Sequence, residues 1–387
     1  MKGKMKNKIK IANRMIGEGY PGLIIAEAGV NHNGSFEIAK RLVDATKAAG
    51  ADVVKFQTFK ADKEAIKTAP KADYQKELTA KEESQYEMIR KLELPDEQTI
   101  ALKKYADKIG IIFMSTPYEI ECVDLLCRMH VPALKVGSGE ITNHPLLEKM
   151  GRTKLPVIMS TGMSTLQEVR NAYDVISRHN NKIILLQCTT NYPARLENSN
   201  LRVMKTFSDE FKCPVGFSDH TPGIVAPIAA VAYGANVIEK HFTIDKNLPG
   251  PDHKASLSAG EFSQMVKAIR FAEKFVKRQF DESNYHLIMN KIAEKGFITK
   301  KEADDSELLL GSFEKRAVKE ELEVKKVTRR SIVAIKRIKK GEIIKRAHLS
   351  FKKPGTGIPP FEINKVIGKR AKMDIDADVM IKWNIVE

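Results

Sequence analysis

Eight short apolar runs recur along the first 280 residues, and each is followed by enough chain for a helix. They are LIIAEAGV (23–30), ADVVKFQT (51–58), GIIFMSTP (110–117), ALKVGSGE (133–140), PVIMSTG (156–162), IILLQCTT (183–190), CPVGFSDH (213–220) and ANVIEKHF (235–242). Runs this short, β-branched and often introduced by Gly or Pro, read as buried strands that follow a helix stop. Between them the apolar residues recur with helical spacing, most clearly at 36–48, 118–129, 164–178, 222–233 and 258–280. Regular strand–helix alternation implies a parallel sheet, and eight such units over roughly 20–280 predict a (β/α)8 TIM barrel. A doubly wound open sheet gathers its polar residues at one switch point. Here almost every run ends in polar residues, which favours the barrel. Before the first run, IKIANRMIG alternates weakly and predicts a short hairpin.

The texture changes after the barrel. Residues 281–322 are charged and irregularly helical, and they read as an extended connector. Residues 323–387 carry short alternating runs broken by KKG and PGTGIPP, which predict a compact β-rich domain. A core of that size is marginal alone and gains from docking onto the barrel or a second subunit.

Composition narrows the function classes. The net charge is +16, and 311–353 alone holds 15 Lys/Arg against five Asp/Glu. That stretch has no interleaved aromatics, no glycine-rich RNA-binding string and no zinc or helix-turn-helix pattern, so it reads as a solvated face rather than a nucleic-acid surface. No apolar run approaches the roughly 20 residues of a membrane span, and GIVAPIAAVAYGA is interrupted by Pro227. The basic start MKGKMKNKIKIANRMI lacks the apolar core of a secretory signal. Cys122, Cys127, Cys188 and Cys213 show neither CxxC nor zinc-like spacing; they read as packed thiols in a reducing cytoplasm.

The candidate chemistry follows from strand parity. In a closed barrel alternate residues point inward, and the active site lies at the C-terminal strand ends. Glu27 shares the parity of Ile25, Lys55 and Gln57 that of Val53, and Thr116 that of Ile112 and Met114. Ser218 pairs in parity with His220, and Glu239 with His241. Charged groups among apolar neighbours are costly unless paired or bound to metal, so their recurrence on five strands marks a site. His220 and His241 end neighbouring strands about 4.8 Å apart. Two imidazoles there can share one divalent ion, with Mn²⁺, Zn²⁺ or Co²⁺ better suited than Ca²⁺. His32, His144 and His253 read as loop residues, and His130, His179, His286 and His348 as structural or exposed. Lys55 and Lys135 with Ser115, Thr116, Ser138, Ser160, Thr189, Thr190 and Ser218 form a candidate anion pocket. A Schiff-base aldolase on Lys55 or Lys135 is the competing enzyme reading, but it leaves the histidine pair unexplained. A non-catalytic carbohydrate- or nucleic-acid-binding barrel is the third reading, and the intact charged set argues against it.

Taken in order, AEAGVNHNGS, VVKFQT, STP, KVGSGE, MSTGM, CTTNYP, GFSDHT, IEKHFT and PGPDHKAS resemble the motifs of the sialic acid synthase family over residues 7–280. That family includes N-acetylneuraminate, legionaminate and pseudaminate synthases, and PGPDHKAS is closer to the first two. The tail from TRRSIVAIKRIKKGE through PGTGI and VIGKRA resembles the family's C-terminal SAF domain, related to type III antifreeze proteins. The resemblance implies a phosphoenolpyruvate-dependent transferase that condenses phosphoenolpyruvate with an N-acetylated aminohexose. The products are a nine-carbon 2-keto acid and phosphate, released by C–O cleavage. It implies a homodimer with the C-terminal domain over the partner's barrel, and Mn²⁺ or Mg²⁺ on His220 and His241. Carried over by motif, Lys55, Thr116, Lys135, Ser138 and Ser218 match phosphoenolpyruvate contacts, with Lys55 among the catalytic groups. Gln57, Tyr192 and Asp252 match sugar contacts, and Ser160 and Glu239 complete the substrate-facing set. Glu27 and Glu140 stand at the catalytic carboxylates, Glu140 for the water and Glu27 for the sugar or metal-bound water. Two departures concern contacts. Thr190 replaces an Asn found in some members, and Lys353 replaces an Arg that reaches the partner's sugar, although an ammonium lacks the guanidinium fork.

Overall fold

A computed structural model describes residues 8–80 and 82–387. Residues 1–7, the first part of the stretch read as lacking a secretory signal, lie outside the described residues.

All eight runs form strands: β3 (Leu23–Gly29), β4 (Val53–Thr58), β5 (Ile112–Pro117), β6 (Leu134–Val136), β7 (Val157–Ser160), β8 (Ile183–Cys188), β9 (Val215–Asp219) and β10 (Val237–His241). They follow a short antiparallel hairpin, β1 (Ile9–Ile11) with β2 (Arg14–Ile16), in which Ile9 faces Ile16. The eight run parallel in the hydrogen-bonded order β5–β4–β3–β10–β9–β8–β7–β6, and β5 lies against β6 to close the ring. Helices fill the intervals, and several start on side-chain caps. Thr165 and Ser258 form capping boxes with Glu168 and Glu261, and Ser35 caps 36–48.

Parity sorts the strand residues as expected. Leu23, Ile25, Val53, Met114, Ile158, Ile184, Leu186 and Val237 pack together inside the barrel, and Ile9, Ile11 and Ile16 of the hairpin plug its lower end. Asp52 stitches that end by accepting hydrogen bonds from Arg14, Arg270 and the Ile24 amide. The registers then set the upper polar residues level with one another. Glu27 lies beside Lys55 on one side and His241 on the other, Gln57 beside Thr116, and Ser218 beside Glu239.

The segment 281–322 departs from the expected extended connector. Helices at Glu282–Glu294, Lys300–Asp305 and Glu307–Leu310 bury Tyr285, Ile288, Met289, Ile292, Leu309 and Leu310 in the barrel's helical shell. The spacing 285, 288, 289, 292 is one apolar helix face, hidden in the sequence by the surrounding charge. No described helix is long and apolar enough to cross a membrane.

The C-terminal unit pairs β11 (Ser331–Ala334) with β12 (Leu349–Lys352) around its own core, which includes Ile332, Ile338, Phe351, Ile358, Val366 and Ile381. It sits over the mouth of its own chain's barrel. Lys353 bridges Ala65, and Val333 packs with Ala61, Ala65, Ile66 and Tyr86 of the long excursion after β4. The basic stretch 311–353 is therefore more than a solvated face: Lys315, Arg329 and Arg330 are buried.

Candidate active site at the barrel mouth

One cavity opens at the C-terminal strand ends. Its lining includes Glu27, Lys55, Gln57, Thr116, Lys135, Ser138, Ser160, Thr190, Tyr192, Ser218, His220, Glu239, His241, Asp252 and Lys353. Val30, Phe59, Met88 and Leu92 give it one apolar wall. Of the candidate residues, Glu140, Ser115 and Thr189 lie outside this lining; the Ser115 hydroxyl pairs with Thr58, and the Thr189 hydroxyl donates to the Asn198 carbonyl.

At its floor two buried ammonium groups share one carboxylate. Lys55 Nζ lies 2.5 Å from Glu27 Oε2 and 3.8 Å from Glu239 Oε2, and Lys135 Nζ lies 3.5 Å from Glu239 Oε1. Lys55 also donates to Thr116 Oγ1 at 2.9 Å, Lys135 donates to Ser160 Oγ at 2.7 Å, and Ser218 donates to Glu239 Oε1 at 3.3 Å. Burial works against the Glu239 charge, but Lys135 and Lys55 outweigh it and hold its pKa below the ordinary value. For Glu27 burial wins. Its carboxyl is pushed up to about 7 by burial, with Lys55 opposing and the Glu239 charge adding to the rise. Burial also lowers the Lys135 pKa, opposed by Glu239 and aided by Lys55. Gln57 Nε2 donates to Glu27 Oε1 at 3.2 Å, and Tyr118 donates to Gln57 Oε1 at 3.3 Å.

Hydroxyls of the candidate anion pocket gather beside this floor. Ser138 Oγ accepts from the Gly162 amide at 3.0 Å. A Cβ at Gly162 would meet Thr190 Oγ1 at 2.0 Å and Ser138 Oγ at 2.9 Å, so only glycine lets these two hydroxyls converge.

The two histidines stand with ring centroids 5.4 Å apart. His220 Nδ1 is 2.8 Å from the Thr189 carbonyl, which can only accept, so Nδ1 carries the proton; Nε2 then faces the Tyr192 hydroxyl at 2.9 Å with its lone pair. His241 Nδ1 is buried without a hydrogen-bond partner, and Asp252 Oδ2 lies 3.9 Å from it. Burial, with the nearby His220 and Lys55, holds the His241 pKa well below its usual value, while burial raises Asp252 to about 6. Among the described residues no group of three or more His, Cys, Asp or Glu side chains forms a metal cage. The His220–His241 pair, with an orphaned nitrogen on His241, fits a divalent ion whose remaining ligands come from substrate or water.

Glu140 is placed elsewhere. It is fully buried, accepts from Asn143 Nδ2 at 2.7 Å, and is bonded to Arg330 Nε at 2.7 Å. Arg330 also pairs with Glu64 and lies 3.5 Å from Glu119, while Lys353 pairs with Glu64 and stands 5.2 Å over the Tyr118 ring. This clamp joins the C-terminal unit to the barrel rim. Parity reaches some residues that the sequence reading passed over. Cys188, read as packing, shares the inward parity of Ile184 and Leu186 and lines the cavity. Glu64, Tyr74 and Tyr118 also line it, from loops whose course no local pattern predicts.

Fold and cavity together define a (β/α)8 barrel of enzyme type, with charged side chains buried at the strand ends where barrel active sites lie. The chain belongs to the NeuB family: the model of that family matches residues 42–280, and the SAF domain matches 329–387. It is 44% identical over 369 residues to an N,N'-diacetyllegionaminic acid synthase of Legionella pneumophila, covering 94% of each chain. It is 42% identical to the enzyme of the same name from Campylobacter jejuni, covering 93% of this chain and 98% of that one. The crystal structure of the spore coat polysaccharide biosynthesis protein SpsE of Bacillus subtilis superposes with a TM-score of 0.76 at 34% identity, covering 98% of this chain and 99% of that one.

Proposed function

We propose that this chain condenses phosphoenolpyruvate with an N-acetylated aminohexose to give a nine-carbon 2-keto acid and phosphate. The observation that carries the reading is the Lys55–Glu239–Lys135 floor beside the His220–His241 pair, all inside one cavity. The two ammonium groups with Thr116, Ser138, Ser160, Thr190 and Ser218 bind the carboxylate and phosphate of phosphoenolpyruvate. Gln57, Tyr192, Asp252 and Lys353 face the sugar. A divalent ion, Mn²⁺ or Mg²⁺, held by His220 and His241 supplies Lewis acidity toward the sugar carbonyl. Carbon 3 of phosphoenolpyruvate forms the new bond to the aldehyde carbon, water adds to carbon 2, and phosphate departs with the enol oxygen. Glu27, with a pKa near neutrality, accepts the proton of that water. Glu140 faces Arg330 rather than the cavity, so the water passes to Glu27 in this assignment.

The relatives named N,N'-diacetyllegionaminic acid synthase support a 2,4-diacetamido-trideoxymannose as the sugar. The four free cysteines support a cytoplasmic setting. In a homodimer the C-terminal unit would make with the partner's barrel the contacts made here within one chain. The test is phosphate release from phosphoenolpyruvate with Mn²⁺, comparing N-acetylmannosamine with 2,4-diacetamido-2,4,6-trideoxymannose. Release that requires both sugar and metal supports the reading; borohydride trapping of pyruvate on Lys55, with no phosphate released, would replace it with the aldolase.

A further inference from the structure

The segment 281–322 has no catalytic motif, yet its last turn enters the active-site wall. Glu321 is 1% exposed. Its Oε1 accepts two backbone N–H bonds from different loops, Met163 at 2.7 Å and Thr190 at 2.6 Å. Its Oε2 accepts from the Val318 amide at 2.9 Å, which holds the carboxylate in place from its own side. Met163 sits at φ +60°, a conformation uncommon for a residue with a side chain. Lys315 ties the same segment to β8 through Gln187 Oε1 at 3.2 Å and the Cys188 carbonyl at 3.4 Å.

These two loops carry the anion pocket. The first leads from Ser160, which binds Lys135, through Gly162, whose amide binds Ser138. The second places Thr190 Oγ1 against Gly162 and turns the Thr189 carbonyl onto His220. One buried carboxylate oxygen therefore sets the spacing between the β7 and β8 loops, and with it the convergence of Ser138, Ser160 and Thr190. We infer that Glu321 is a positioning residue for the phosphate-binding wall of the cavity, supplied by a segment outside the barrel repeat. The inference rests on the phosphoenolpyruvate reading for its ligand and on geometry alone for its mechanics.

The experiment compares Glu321→Ala, Glu321→Gln and the unaltered chain by steady-state kinetics and by amide hydrogen exchange of peptides spanning 160–165 and 188–192. Glu321→Ala is expected to raise KM for phosphoenolpyruvate about thirtyfold, the equivalent of two backbone bonds at about 1 kcal/mol each. The sugar KM should stay within twofold, and both peptides should lose protection. Glu321→Gln keeps a carbonyl oxygen for both amides and should restore both readouts to within about threefold. An alanine variant with unchanged phosphoenolpyruvate KM and unchanged exchange overturns the inference, as does a glutamine variant as impaired as alanine. If the unaltered chain releases no phosphate from phosphoenolpyruvate, the functional reading fails separately; the exchange arm still decides whether Glu321 holds the two loops.

Discussion

Two buried clusters of carboxylates and cations meet at the top of the barrel, and they are finished differently. On the floor, Glu27 Oε2 is taken up by Lys55, but Glu239 Oε2 is left without a hydrogen bond, as is His241 Nδ1 in the same cavity. At the rim, Arg330 spends its donors on Glu140, Glu64 and the carbonyls of Lys63 and Phe351. The same residue types thus make a site in one place and a clamp in the other. What separates them is how much hydrogen-bonding capacity remains for a ligand, since buried polar groups are otherwise satisfied within the protein.

The largest expected effect lies on the floor. Lys55→Met removes the cation that the proposed function sets against phosphoenolpyruvate, and phosphate release should fall about 10³-fold. The variant should melt close to the unaltered chain, because Glu27 can take up a proton when its partner goes. A large loss of melting temperature with activity preserved would invert the comparison. Arg330→Met should behave in the opposite sense. It leaves Glu140, Glu64 and Glu119 buried without their guanidinium and should destabilise the fold by about 3–5 kcal/mol, read from urea unfolding. Turnover by the fraction that remains folded should change less than for Lys55→Met.

The smallest effect sharpens the clamp itself. Burial, reinforced by the Glu64 charge and opposed by Arg330, raises the Glu119 carboxyl to about 8. The unfolded chain releases that proton in the ordinary carboxylate range while the folded chain keeps it. The folded state therefore binds the extra proton, and stability falls as pH rises from about 4.5 to about 8. Below that window both states are protonated and the effect vanishes. Glu119→Gln should flatten this part of the pH profile, measured as urea midpoints at pH 5 and pH 8. An unchanged slope would show that Glu119 ionises freely inside the clamp.

Most of the floor was legible because strand parity is a local property. Once Val53 faces inward, Lys55 and Gln57 must follow, and the same rule places Thr116, Ser218, Glu239 and His241. Cys188 obeys that rule too and was passed over only because a thiol looks like packing. The clamp was not legible in this way. Glu140 ends its run with the credentials of a catalytic carboxylate, and nothing nearby announces that Arg330, 190 residues later, will occupy it. Glu321 is harder still, because it lies 158 residues from Met163 in a charged stretch whose helix face was obscured.

The sequence by itself determined the barrel, the inward polar set and the histidine pair, because periods of 2 and 3.6 residues and the cost of burying charge act within each element. Only the tertiary structure decided which carboxylates face the cavity and which are locked away. That choice depends on where 281–322 and the C-terminal unit pack on the barrel, and packing between distant segments leaves no periodic trace in the chain.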